Sequence, residues 1–439
     1  MRKTCTLVLV LALVLMAVGV ANAATSAEKQ AVIDKGLAYL ASTQNQNPLD
    51  PNYGSWNYYV SNVAATASAL LAFTEQYYKP AGWNGQNYMS VVTNATNYLL
   101  SQTQQLPFNT VNGANWWGFS GIANTGYGLR WGAGTGEDTY ITGLVIPALS
   151  RLVFNPYGGA SIYSPSTLIS SSNSWVNNKS YAYVIQSGVD SFAWYQNGPT
   201  YGNPGGWRYY ADYHDSDMST TQWAPISFLF ASNVSGVVIP DDPAHSMKTA
   251  LKTWIAACQD PSGGVSYQPG SGIGPNATHA GGFLLSNYFA GGGGSAANAL
   301  AWLNAHWTDN ATGDTWYGNE GHPYAMWSVY KALETLYGVT GAGPITNLHP
   351  QGSNQIDPGA TWNWWEDYCQ YLVDSQLADG SWPGYSYPYW YGPLEAGWYI
   401  NILNATVTTQ VVPLPGTLGL LSTGLFGLLG AGWWRRRKS

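Results

Sequence analysis

Charge is scarce in this chain: only 9% of its 439 residues are Asp, Glu, Lys or Arg. Asn, Ser, Thr, Gln and Gly must therefore keep most of its surface in water. Cysteine is scarcer still, with three in all, and no two of them stand in a Cys-x-x-Cys pair, which argues against a thiolate zinc site. The nucleophile elbow, the P-loop and the Rossmann glycine pattern are all missing, which removes three common routes to hydrolase, nucleotide and dinucleotide chemistry. Basic residues are few and lie largely at the ends. Arg2, Lys3, Arg435, Arg436, Arg437 and Lys438 are six of the 16, which leaves the body 10 basic against 23 acidic residues, a net of −13. Such a body has no cationic patch to displace phosphate counterions, so nucleic acid is excluded as a partner.

What is present at the N-terminus is a secretory pattern. Arg2 and Lys3 precede an apolar run from Leu7 to Val20 and the small residues Ala21-Asn22-Ala23, the order of a cleavable signal peptide. The expected cut follows Ala23, and Cys5 leaves with the leader. Cys258 and Cys369 remain, and two separate buried thiols are expected in preference to a bridge. At the other end, Val412-Pro413-Leu414-Pro415-Gly416 leads into an apolar stretch over 417–434 and then the basic cluster. Eighteen residues at 1.5 Å each span about 27 Å, close to the thickness of a bilayer core. Positive residues stay cytoplasmic, so the body is expected outside the inner membrane. Over residues 412–439 this tail resembles the PEP-CTERM sorting signal of Gram-negative bacteria. The resemblance implies processing by an exosortase, with surface display or release as the outcome. Leu414 stands where that family has Glu. Residues 405–411 read as a stalk.

Between the ends, apolar-faced helices recur in pairs. The first helix of a pair ends in an aromatic-aliphatic step, a Gln and a Gly-containing turn with an aromatic. Tyr39-Leu40, Gln44 and Gly54-Ser55-Trp56 make one copy, Trp254-Ile255, Gln259 and Gly263 another, and Tyr371-Leu372, Gln376, Gly380 and Trp382 the clearest. Weaker copies lie at Leu99-Leu100 with Gln104, at Phe192 with Gln196 and Gly206-Trp207, and at Trp302-Leu303 with Gly313 and Trp316. The second helices, such as 64–73, 140–152, 220–231, 280–289, 324–336 and 396–403, are rich in small and apolar residues, as an inner ring requires. Amphipathic first helices such as 28–41 and 247–257 suit an outer ring. The expectation is an all-α domain over 24–404, built of six hairpins closed into a double ring. Long insertions at 155–180 and 338–356, rich in Gly, Ser, Pro and Asn, read as surface loops.

The string Tyr371 to Trp382 resembles the QW repeat of squalene cyclases and related prenyltransferase-type proteins, and the weaker copies extend the likeness over nearly the whole body. The resemblance implies an (α/α)6 toroid with a central cavity. The Gln amide can tie a helix end to the next hairpin, and the Trp buries its ring beside it. These residues speak for fold and hardly at all for chemistry.

Polar residues just before the second helices would face one mouth of the cavity. They are Glu137, Asp138, Asp215, Asp217, His279, Glu320, His322 and Glu395, with Trp207 and Trp223 as aromatic companions. The plain alternative for each acid is helix capping. Asp215 and Asp217 resemble the first two acids of the cyclase Asp-x-Asp-Asp-Thr-Ala motif, which implies a proton donor at Asp217, but Met218 replaces the third acid. Pairing of Asp217 with His214 is expected to lower its pKa, against the needs of such a donor. Asp215 or Asp217 with His279 and His322 would be the metal reading, loosely resembling the prenyltransferase zinc set without its Cys. No cofactor is implied. Aromatics crowd Trp116-Trp117, Trp362, Trp364-Trp365 and 385–391. The leading expectation is an exported, inner-membrane-anchored or surface-released toroid that binds a small-molecule or glycan ligand. Rivals are a polysaccharide hydrolase or lyase using Glu137, Asp138 and Glu395, a terpene-cyclase-like enzyme, and a matrix component with a plugged cavity.

Overall fold

A computed structural model describes residues 24–108, 126–211, 213–241, 246–309, 311, 315–351, 357, 359–385 and 390–405. The signal peptide, the sorting tail, nearly all of the stalk, Trp116-Trp117 and residues 386–389 lie outside these. The chain divides at Thr408, and every described residue belongs to the first unit. Among the described residues no helix is long and apolar enough to cross a membrane.

The fold is predominantly helical. Outer helices are α1 (Ser26–Thr43), α3 (Met89–Ser101), α5 (Tyr181–Trp194), α8 (Met247–Cys258), α10 (Ala296–Ala305) and α12 (Trp364–Ser375). Inner helices are α2 (Asn62–Tyr78), α4 (Asp138–Val153), the short α6 (Met218–Thr221) running into α7 (Trp223–Ala231), α9 (Ala277–Ala290), α11 (Pro323–Tyr337) and α13 (Pro393–Leu403). Each inner helix packs on the next in chain order, and α13 packs back on α2. One element departs from the all-helical expectation. Strands β1 (Gln104–Pro107) and β2 (Tyr127–Arg130) form an antiparallel ribbon with Gln104 opposite Arg130. Gln104 is therefore a ribbon residue, and its side chain accepts from the Ala133 amide at 2.9 Å.

Inner helices are buried all round because their faces are small. Every residue from Val63 to Gln76 is buried. A methyl group at Gly397 would strike Ser68 of α2, and one at Gly281 would strike the Ser328 backbone of α11. Both glycines thus sit where inner helices cross closely. Every outer helix but α3 begins with a side-chain cap, as at Thr25, where the hydroxyl accepts from Glu28 N and the Glu28 carboxylate accepts from Thr25 N. Such a reciprocal cap satisfies two amides that the first turn leaves unpaired.

Four of the repeat copies are corner staples of one design. Gln44 Nε2 donates to Gly54 O and to Val91 O, both at 2.9 Å. Gln196 binds Gly205 O and Met247 O, Gln259 binds Gly263 O and Ser295 O, and Gln376 binds Gly380 O and Val32 O. Each amide thus joins its own turn to the N-terminal half of the following outer helix or its cap, and Gln376 returns the last corner to the first helix. The Trp of the staple points its N–H back: Trp56 to Leu40 O at 2.7 Å, Trp207 to Phe192 O at 2.8 Å and Trp382 to Leu372 O at 2.9 Å. Gly380 shows why glycine is required, since its φ is 93° and a Cβ there would press into the Lys35 carbonyl oxygen. Copies two and five differ. Trp131 takes the indole role on Leu99 O, and the Asn173 amide, from the 155–180 insertion, binds the carbonyls of Leu100, Ser101 and Thr103. Trp307 instead donates to Asp367 Oδ2. Cys258 and Cys369 are separate buried thiols.

Candidate functional site

At the N-terminal ends of the inner helices lies a cavity of about 370 Å³. Its wall is aromatic: Tyr140 of α4, Trp223 of α7, Tyr324 of α11, Trp398 of α13, and Trp316 and Trp390 from the loops before α11 and α13. Below it, Trp223, Trp327 and Trp398 close the ring, leaving a gap of only about 10 Å³. The ring is therefore a cup and not a pore. Trp223 stacks on Tyr324 at 5.9 Å and 5°, and Trp327 on Trp398 at 6.4 Å and 9°.

Three tyrosine hydroxyls of the wall, those of Tyr140, Tyr209 and Tyr324, are committed to the protein. Tyr140 Oη bonds Ser219 Oγ at 2.8 Å, and Tyr209 Oη bonds Tyr267 Oη at 2.6 Å. Tyr324 Oη donates to Ser219 O at 2.5 Å while accepting from Trp223 Nε1 at 2.9 Å and Gln222 Nε2 at 3.1 Å. What these rings offer the cavity is face and edge. That is the character of a pocket for apolar matter with a few polar fixed points.

One such point is Glu137, the only carboxylate among the described residues of the wall. It occupies the N-cap position of α4 without making a side-chain cap, its backbone at φ −132° and ψ 23°. Burial first, then the nearby charges of Asp217 and Asp138, pushes its pKa up to about 7.

The other expected site residues have different occupations. Asp217 is wholly buried behind the wall and caps α6, accepting from Thr220 N at 2.8 Å and Ser219 Oγ at 2.6 Å. Its cationic neighbour is Arg208, with Nε 3.2 Å from Oδ2, and not His214, which stacks on Tyr201 at 4.0 Å. Its pKa is raised, because burial outweighs the hydrogen bonds and Arg208; this reverses the lowering expected from sequence. Asp215 pairs with the same arginine at 2.7 Å and accepts from Asn203 and Gln268. Asp138 is held by Arg130 at 2.7 Å, its pKa pushed up to about 6 mainly by burial. Glu395 is buried near Tyr399 and Gly384, where burial pushes its pKa up to about 8. It does not line the described cavity, which takes Leu394 and Trp398 from that helix. Trp207 is a staple residue and not a ligand contact. Trp223 does line the cup.

His322 caps α11 with Nδ1 accepting from Ala325 N at 3.1 Å, and burial lowers its pKa to about 3. His279 is likewise held neutral by burial, with a pKa of about 3. The metal reading of Asp215 or Asp217 with His279 and His322 does not come together among the described residues. Among the described residues, the group whose ligand atoms do approach one another is Glu320, His349 and Asp367, all within 4.8 Å. His349 and Asp367 were not singled out from sequence, since a lone His in a loop and an acid inside a helix carry no local pattern.

Sequence reading also missed the opposite end of the inner ring. Glu75 of α2 and Arg151 of α4 form an ion pair there with side chains 0% and 2% exposed. Arg151 lies over the Phe230 ring at 5.0 Å, and Glu334 is buried close by, its pKa driven well up by burial and then by Glu75. Lys331 is buried over the Trp223 face at 4.3 Å, and burial drives its pKa well down.

Compared with known proteins, the chain matches no family model and no curated sequence.

Proposed function

We propose that this protein is an exported, envelope-anchored (α/α)6 toroid of squalene-cyclase-like build, whose cup takes up a small, mostly apolar ligand with one polar group. The observation that carries this reading is the wall. The hydroxyls of Tyr140, Tyr209 and Tyr324 are consumed by protein partners, aromatic rings line the cavity, and Glu137 is the one uncapped carboxyl among them. A volume of about 370 Å³ falls at the small end of ligand pockets. It suits a compact molecule better than a polysaccharide.

Binding is favoured over catalysis by the placement of the acids. Glycosidases need two carboxyl groups flanking one bond, about 5 to 9.5 Å apart; the described wall holds one. A cyclase acid must face the substrate in an apolar site and stay protonated, whereas Asp217 is turned into a helix cap beside Arg208. Export and anchoring rest on the sequence patterns at 1–23 and 412–439. The first helix with its Thr25 cap lies wholly after the proposed cut at Ala23, so cleavage takes nothing from it. Processing by an exosortase would follow from the tail.

The test uses full-length protein purified from membranes in detergent, with N-terminal sequencing to show a start at Ala24. Titration with a fluorescent polyene fatty acid and with a soluble oligosaccharide then separates the readings. Saturable binding of the polyene, weakened at least tenfold by Trp390→Ala, is expected. Binding of the oligosaccharide alone, or of neither, would overturn the proposal.

A further inference from the structure

Away from the cup, three chain segments bring metal-binding side chains to one point. Glu320 comes from the loop before α11, His349 from the long loop before α12, and Asp367 from the first turn of α12 itself. His349 Nδ1 lies 3.1 Å from Asp367 Oδ2 and 3.5 Å from Glu320 Oε2. Two ligands that sit 2.0–2.1 Å from one zinc ion at tetrahedral angles are separated by about 3.3 Å, and the two observed spacings bracket that edge. Asp367 is buried, and Glu320 and His349 are partly buried, so an ion here would meet a shaped and only partly wet site.

The surroundings hold these groups in place. Asp367 Oδ2 accepts from Trp307 Nε1 at 2.6 Å and from the His349 amide at 3.1 Å, which fixes the carboxylate. The His349 loop is pinned by Asn304 Oδ1, which accepts from Thr346 N at 2.7 Å and Asn347 N at 2.9 Å. The backbone on either side of Glu320 is tied as well: Glu320 O accepts from Ala311 N at 2.9 Å, and Asn319 N donates to Asp309 O at 2.7 Å. Outer-shell hydrogen bonds of this kind orient first-shell ligands and raise metal affinity. One imidazole with two carboxylates suits zinc and its first-row neighbours better than magnesium or calcium, which favour all-oxygen sites.

We propose that Glu320, His349 and Asp367 form a divalent transition-metal site of the zinc class, with water completing the shell. The ion would clip the fifth hairpin to the sixth at a corner where no glutamine staple is found among the described residues and where Trp307 donates to Asp367. Its role is structural support of the ring, independent of what the cup binds.

The experiment is equilibrium dialysis of the full-length protein in detergent against Zn²⁺, with metal analysis and thermal unfolding on the same samples. Wild type is expected to retain one Zn²⁺ per chain and to melt higher as Zn²⁺ rises, with Mg²⁺ giving neither effect. His349→Ala and the near-isosteric Glu320→Gln should each weaken Zn²⁺ binding at least tenfold and abolish the melting shift. His306→Ala, at an exposed pair with Asp309, should change nothing. Circular dichroism checks that the variants are folded, and Glu320→Gln carries the test should His349→Ala fail to fold. Wild type retaining no zinc, or Glu320→Gln retaining it as tightly as wild type, would overturn the site.

Discussion

The two ends of the inner ring are built from the same six helices and solve opposite problems. At the N-terminal end the helices splay around a cup, and polar groups are turned behind an aromatic wall: Asp217 into a cap, Tyr140 and Tyr324 onto Ser219. At the C-terminal end there is ionic chemistry with little room. Glu75 and Arg151 form an ion pair in the packed core, and burial pushes the nearby Glu334 carboxyl toward its neutral form. Burying charge is expensive and is tolerated only when each charge has its counterpart. The comparison teaches that charge density alone is a poor guide to function here. The C-terminal end locks its buried ion pair into the core, whereas at the other end Glu137 is the one carboxyl that the described cup wall offers to a ligand.

The sharpest way to break that contrast is at the locked end. Arg151→Met keeps the aliphatic stem of the side chain and leaves Glu75 without its ion-pair partner, so a loss of about 3–5 kcal/mol is expected from urea unfolding. Adding Glu75→Gln should recover a large part of it. A loss below about 1 kcal/mol would show that the far end is wet and that the two ends differ less than the burial implies.

A smaller effect is expected at the cup. Tyr324→Phe removes the oxygen that accepts from Trp223 Nε1 and Gln222 Nε2, leaving two buried donors, at a cost of about 1–3 kcal/mol. Affinity for an apolar ligand should hardly change, because the ring face remains. If the variant instead keeps its stability and loses the ligand, the hydroxyl points into the cup in solution and the wall is more polar than described.

Much of this architecture is legible in sequence because it repeats. Gln44, Gln196, Gln259 and Gln376 each precede a glycine turn, and the structure finds each amide tying that turn to the next outer helix. Trp207 belonged to the same pattern, so its place in a staple was readable even though it was grouped with the site. The site itself was legible only as a set of positions. Glu137 and Asp217 both stand at inner-helix N-caps, and composition does not tell a cap from a lining residue. What separates them is backbone: Asp217 is extended, with ψ 159°, which lets its carboxylate fold back onto Thr220 N, while ψ 23° at Glu137 does not support that bond. Arg151 and Glu75 are 76 positions apart in strongly apolar helices, and only closure of the ring brings them together. His349 and Asp367 meet because the long loop before α12 folds back onto the first turn of that helix.

The last and smallest change in stability should come from Glu137→Gln, and it sharpens the comparison most, because it tests whether the one acid of the described cup wall works as a switchable contact. Its folded pKa of about 7 stands above the ordinary carboxyl value of 4.5. For a carboxyl raised in this way, the stabilising effect is complete below about pH 4.5 and is lost as pH climbs through 7. The full shift corresponds to about 3 kcal/mol at most, and the opening of the cup to solvent reduces it to the order of 1 kcal/mol. Glu137→Gln, neutral at every pH, should match wild type at pH 5 and be slightly more stable at pH 8. Ligand binding gives the clearer reading. If the protonated carboxyl donates to the ligand's polar group, apparent affinity follows the protonated fraction, about ten-elevenths at pH 6 and one-eleventh at pH 8, a tenfold loss. In Glu137→Gln that pH dependence should vanish while Trp390→Ala retains it on a weaker baseline. A wild-type affinity that is flat from pH 6 to pH 8 would mean that Glu137 faces water and leaves the aromatic wall to hold the ligand alone.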